Sequence, residues 1–253
     1  MKGQETVLIG GRAVPAGPLW LAAGLPVAIL LHLFSCGLLR LGTGMLFHES
    51  GHALTAWFFG HPGVPTAKGF AVHWEQKPPL VLVVWAGLLW LAWRCRASLR
   101  LAALVGAVAL VYPLLAFSRS HEALISLGGH GAELTFAAIF AWGALRGGMQ
   151  AEGERPLYGA LAWYLWTDYL RLCWKLTFDP LQRVVYDSIS ITGGDNDYIK
   201  VADALGWELQ SLTALLLVAG LVVPPSLIGT WWALFRDDAG RERLRRLLGL
   251  PAA

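Results

Sequence analysis

Charge is scarce in this chain. Only 15% of its 253 residues are Asp, Glu, Lys or Arg, while 56% are hydrophobic. Soluble domains carry about 25% charged residues, so much of this surface must be shielded from water by lipid. The net charge of +3 is small, and outside the C-terminus its basic residues are scattered, which argues against a nucleic-acid partner. Cysteine is equally sparse. Cys36, Cys95 and Cys173 stand alone with no C-x-x-C pair, which excludes a disulfide framework and a cysteine zinc site. There is no internal repeat and no low-complexity linker. The first apolar run, Leu19–Leu39, is longer than the 7–15-residue core of a signal peptide and reads as a retained span.

What the chain has instead is long apolar runs. A membrane span needs roughly 20 mostly apolar residues. Seven candidates meet or approach this: Leu19–Leu39, Leu41–Gly60, Pro79–Trp93, Leu101–Phe117, Ala123–Leu145, Leu157–Phe178 and Leu209–Phe235. The expected fold is an all-α polytopic membrane helix bundle of about six to seven spans. Residues 19–235 form the membrane domain, between an N-terminal tail (1–18) and a basic C-terminal tail (236–253). With seven spans, eleven arginines flank one side and seven lysines or arginines the other. That bias makes the C-terminus cytoplasmic and places the N-terminus outside a plasma or inner membrane. The tail from Arg236 to Leu250 mixes arginines with Leu244, Leu247 and Leu248. It reads either as a short amphipathic helix on anionic lipid or as a topology-fixing flank.

One polar pentapeptide interrupts the second run: His48-Glu49-Ser50-Gly51-His52. On a helix, residues four apart share a face, so both imidazoles can reach one metal ion. Glu49 follows the first of them, where it can serve as the base of a zinc hydrolase. Ionisable groups at bilayer depth are costly and mark function by default. The bland alternative is a buried polar cluster hydrogen-bonded between helices.

The run HESGHALTAWFFGHPGVP resembles the first active-site segment of site-2-protease-like intramembrane zinc metalloproteases, through H-E-x-G-H followed by Ala53, Ala56, Phe59 and Gly60. The close match covers roughly 30 residues. The segment Ala67–Trp74 alternates like a strand and is similar to the hairpin that family places after its first motif. The resemblance implies peptide-bond hydrolysis in or near a transmembrane segment of a protein substrate, a zinc ion, and a third ligand from an aspartate in a Leu-Asp-Gly motif. No Asp in this chain is followed by Gly, so that ligand must come from elsewhere.

Depth ranks the substitutes. At 1.5 Å per residue, His52 lies about 12 Å below the face at Gly60, His130 about 10 Å deep in the fifth run, and Asp168 about 15 Å from the same face. Glu133 lies one turn deeper than His130. His130 is the favoured third ligand, with Glu133 as a fourth ligand or an orienting carboxylate, and Asp168 is the alternative. Asp168 also has Arg171 and Lys175 at ion-pair spacing. Gly128, Gly129 and Gly131 would let two helix backbones approach. The acidic stretch Ile191–Tyr198 reads as a solvated turn, with a cover or a ligand supplier as the other reading. Phe70, Val72 and Trp74 are candidate substrate-binding positions, on a strand edge to which an extended peptide could add. His32, His61, His73 and His121 show no partner pattern.

The rival function is a non-catalytic subunit of a larger membrane complex with a structural or degenerate metal site. Ligand number separates the two, because a structural site is closed by protein and a catalytic one keeps an open position. A haem carrier fits poorly, because two histidines on one helical turn would approach the same side of the ring.

Overall fold

A computed structural model describes residues 6–9, 12–34, 42, 45–66, 71–146, 154–188 and 196–235, with 240, 242 and 246 in the tail. Strands β1 (Thr6–Ile9) and β2 (Arg12–Pro15) form an antiparallel hairpin. Helices α1 (Ala16–Phe34) and α2 (Met45–Phe58) follow, then a second hairpin, β3 (Gly63–Pro65) with β4 (Ala71–His73). The rest is helical: α3 (Pro78–Arg94), α4 (Leu99–Ala116), α5 (Ser120–Arg146), α6 (Arg155–Phe178), α7 (Pro180–Ser188), α8 (Asp197–Leu205) and α9 (Leu209–Phe235).

The chain is a membrane helix bundle. Five helices are long and apolar enough to cross a bilayer: Ala16–Phe34, Pro78–Ala97, Leu99–Ala116, Ser120–Arg146 and Leu209–Thr230. α6 has 24 residues, about 36 Å at 1.5 Å per residue, and packs among α1, α5 and α9. It is less apolar because it carries Arg155, Asp168, Arg171 and Lys175. Large side chains such as Trp90, Leu104, Leu110, Leu114 and Leu221 stand exposed on the outer faces, an arrangement suited to hydrocarbon rather than water.

Among the described residues, the second apolar run forms less than the full crossing expected for Leu41–Gly60. α2 has 14 residues, about 21 Å, against a hydrocarbon core of about 30 Å. Its Phe47 packs on Phe136 and Phe140, near the middle of α5, so α2 begins inside the bundle and rises to one end. This changes the topology. Gly17 at the start of α1 lies against Leu145 at the close of α5, and His32 bonds to Thr167 of α6. α9 runs antiparallel to α6, with Trp166 donating to Gly220 O and Thr177 to Thr213 Oγ1. The β1–β2 hairpin and the close of α9 therefore lie at the same end of the bundle, not at opposite ends as seven spans would require.

Small residues set the helix spacing. A Cβ on Gly24 of α1 would fall 2.2 Å from the Gly159 backbone of α6, and one on Gly51 of α2 would fall 2.2 Å from Gly128 O of α5. Such close backbone approach is how helices associate where lipid removes the hydrophobic drive. Three packed clusters result. Ala28, Ala137, Tyr164 and Leu165 join α1, α5 and α6. Ala56, Phe59, Val81, Tyr112 and Ile125 join α2 to α3, α4 and α5. Tyr169, Cys173, Leu176, Tyr198, Val201 and Leu212 join α6, α8 and α9.

Candidate metal centre

α2 buries Glu49, His52, Ala53 and Ala56, an i, i+3, i+4, i+7 stripe that faces the bundle. The helix stops at Gly60, whose φ is +81°. His61 N donates to Ala56 O at 2.8 Å and Gly60 N to Trp57 O at 3.0 Å, the paired bonds of a Schellman cap. The chain then turns into β3. Trp57 Nε1 donates to Gly63 O at 2.7 Å, and this bond fastens the hairpin to α2.

α8 supplies what the spans do not. Asn196 precedes it in an extended conformation, and Gly206, at φ +66°, closes it with the same cap, through Trp207 N to Ala202 O and Gly206 N to Asp203 O. Tyr198, Val201 and Ala202 are buried, again at i, i+3, i+4 spacing. That face seats the helix between α5, α6 and α9 and leaves Asp197, in its first turn, beside α2.

Three ligand atoms converge there. His48 Nε2 and His52 Nε2 are 3.0 Å apart, and Asp197 Oδ2 lies 3.1 Å from each. Tetrahedral zinc with bonds of 2.0–2.1 Å places its ligands roughly 3.3 Å apart, so the triangle is close to the size the ion needs. The far side of each ring decides its tautomer. His52 Nδ1 donates to Ile125 O at 2.7 Å, and His48 Nδ1 lies 3.3 Å from Glu133 Oε1. Both partners are acceptors, so each Nδ1 carries a proton, and the two Nε2 atoms point at each other and at a carboxylate. With both rings neutral, the two Nε2 atoms and Oδ2 are three converging acceptors, a conflict relieved either by a second proton on one ring, donated to Asp197, or by a bound cation. Charge agrees, since Glu133 and Asp197 are carboxylates partnered by imidazoles, and Glu49 adds a third carboxylate beside them.

α5 makes room for the triangle. A Cβ on Gly129 would fall 2.5 Å from His52 Nε2 and 2.8 Å from His48 Nε2. Gly131, by contrast, faces open space and plays no part in this approach. Glu49 is 4% exposed. Its carboxylate accepts from the Ala71 amide of β4, and Oε2 is buried with no partner among the described residues. That leaves one carboxylate oxygen free beside the triangle.

The candidates from sequence are placed as follows. His48, His52 and Glu49 stand together. His130 and Glu133 lie behind His48, as a second group of ligand-type atoms that does not include His52. His130 Nδ1 donates to Glu133 Oε2 at 2.9 Å, so that nitrogen is already engaged. Asp168 joins neither group and is half-buried on α6. Val72 is 37% and Trp74 53% exposed near the hairpin, and Phe70 falls outside the described residues. Asp197 is the residue that depth ranking passed over. Its signal was the acidic turn before a short helix with an i, i+3, i+4 apolar face.

Comparison with protein-family models, with curated proteins and with solved structures finds no match.

Proposed function

We propose that this chain is an intramembrane metallopeptidase, with one divalent ion, zinc by ligand type, held by His48, His52 and Asp197. The convergence of three lone-pair atoms at 3.0–3.1 Å carries this reading. Imidazole and carboxylate suit zinc among several ions. Three protein donors leave a position open, which favours a catalytic over a closed structural site.

When bound, the ion supplies the Lewis acidity that polarises a peptide carbonyl and makes water acidic enough to attack it. The protein supplies the rest. Glu49, one residue past the first ligand, takes the proton of the attacking water on its free oxygen and returns it to the leaving amine. The β3–β4 hairpin presents substrate. Val64 and Val72 face each other in the ladder, and Trp74 N bonds Pro62 O. By alternation, Ala71 and His73 direct their backbone groups away from β3. That free edge begins at Glu49 and can accept an unwound segment of a transmembrane protein as an added strand. Burial inside a bundle excludes bulk water from the scissile bond. Arg94, Arg96, Arg100, Arg146 and Arg155 lie towards the end of the bundle opposite the β3–β4 hairpin, so that end, where α1 begins and α9 closes, is the cytoplasmic one.

The test is to compare neo-N-termini in the membrane fraction of cells expressing the wild type or Glu49→Gln, with metal content measured in both. New termini near transmembrane segments should accompany the wild type and vanish with Glu49→Gln while metal is retained. Identical sets of termini remove Glu49 from any hydrolytic role.

A further inference from the structure

Behind the His48–His52–Asp197 triangle lies the second group of ligand-type atoms, centred on Glu133. Glu133 is a carboxylate shared by two imidazoles: Oε1 lies 3.3 Å from His48 Nδ1 and Oε2 2.9 Å from His130 Nδ1. The His130 ring continues the chain of contacts. It meets His48 edge-on at 4.4 Å between centroids and stacks on Tyr198 at 4.2 Å and 29°. Tyr198 is fully buried and adjacent in sequence to Asp197. Its hydroxyl lies 3.6 Å from Cys173 Sγ on α6. His130 thus stands between the two ligand-bearing elements, α2 and α8, and touches both.

We infer that Glu133 and His130 are positioning residues rather than ligands. Glu133 fixes the tautomer and tilt of His48. His130 holds Glu133 by its second oxygen, and its ring seats the turn that aims Asp197. The physical reasons are separate. A metal-bound imidazole is held and made more basic by a carboxylate on its other nitrogen. A carboxylate inside a bundle needs a donor on each oxygen to offset its desolvation, and here two imidazole N–H groups provide them. Stacking on Tyr198 adds a contact that would be lost if His130 swung out to ligate. This inference rests on the metallopeptidase reading only in requiring that the His48–His52–Asp197 triangle binds an ion, and its test separates the two.

X-ray absorption on the zinc-loaded, detergent-purified full chain counts imidazoles directly. Two are expected, and a third would make His130 a ligand and overturn the inference. Zinc affinity is then compared among the wild type, Glu133→Gln and His130→Gln, with the visible spectrum of the cobalt-substituted forms. Glu133→Gln is nearly isosteric, so a mere packing role would leave the affinity in place. The expected result is about a 10–100-fold loss of affinity in each variant, with cobalt band positions at saturation unchanged because the ligand set is unchanged. Unchanged affinity, or bands shifted in His130→Gln, overturns the inference while leaving the metallopeptidase reading intact. Where one variant does not fold, the other and the wild-type imidazole count decide. A wild type that binds no zinc removes both.

Discussion

His52 and Gly129 meet across the α2–α5 interface so closely that a single methyl group at 129 would sit 2.5 Å from His52 Nε2. No side chain fits there without moving an imidazole. Gly129→Ala is favourable by about 1 kcal/mol in helix propensity alone, so the helix itself should tolerate it. The expected outcome is a folded protein with zinc affinity reduced at least about tenfold, a loss like that from disturbing ligand orientation. Elemental analysis after size-exclusion chromatography checks it.

Gly24 and Gly159 make a second close approach, backbone to backbone, between α1 and α6. Here the expected effect is on stability. Gly24→Ala overpacks a contact that cannot yield through side-chain rotation, and such changes cost about 1–3 kcal/mol. Unfolding in detergent should show it. Gly131→Ala, which meets open space, serves as the comparison and should not destabilise.

The hairpin is fastened by Trp57, through its bond to Gly63 O. Trp57→Phe keeps an aromatic six-membered ring and removes the donor, and the lost hydrogen bond alone costs about 0.5–1.5 kcal/mol. Amide hydrogen exchange should then quicken in residues 63–66 and 71–74, with little change in the core of α5. Uniform exchange across the chain would contradict a local fastening.

His73 sits on the outward edge of β4, beside His61, whose ring centroid is 5.7 Å away. Partial burial and then the neighbouring His61 hold its pKa below the ordinary histidine value. The folded state thus prefers neutral His73, and the stability this provides is present above the unfolded value of about 6.5 and lost as pH falls through it. Hairpin protection from exchange should therefore weaken between about pH 7.5 and about pH 5.5, and His73→Asn should flatten that dependence. An unchanged profile in the variant would assign the pH response to other groups.

Much of this architecture is legible in the sequence because membrane helices announce themselves by length and composition. Ala16–Phe34, Pro78–Arg94, Leu99–Ala116, Ser120–Arg146 and Leu209–Phe235 all lie close to apolar runs. The His48–His52 pair is legible because i, i+4 spacing is a local property. What is not local is harder to read. Leu41–Gly60 has the hydropathy of a span, yet α2 starts inside the bundle, and only its packing on Phe136 reveals that. α7 and α8 have nine residues each, too few for periodicity to stand out from a loop. Asp197 is a ligand candidate because α8 folds back among α5, α6 and α9, and no depth count along spans could find it. The same limit explains His130 and Glu133. Their depth beside His48 was predicted, but which nitrogen faces which oxygen depends on ring orientation.

The central claim is that His48, His52 and Asp197 together hold one divalent ion. Metal content per chain in the detergent-purified protein tests it most directly, with the wild type set against Asp197→Ala, the ligand contributed from outside the H-E-x-x-H helix. The account predicts one zinc per wild-type chain and a strong loss in Asp197→Ala with the fold retained. A wild type without metal, or an Asp197→Ala protein that binds as much as the wild type, would contradict it.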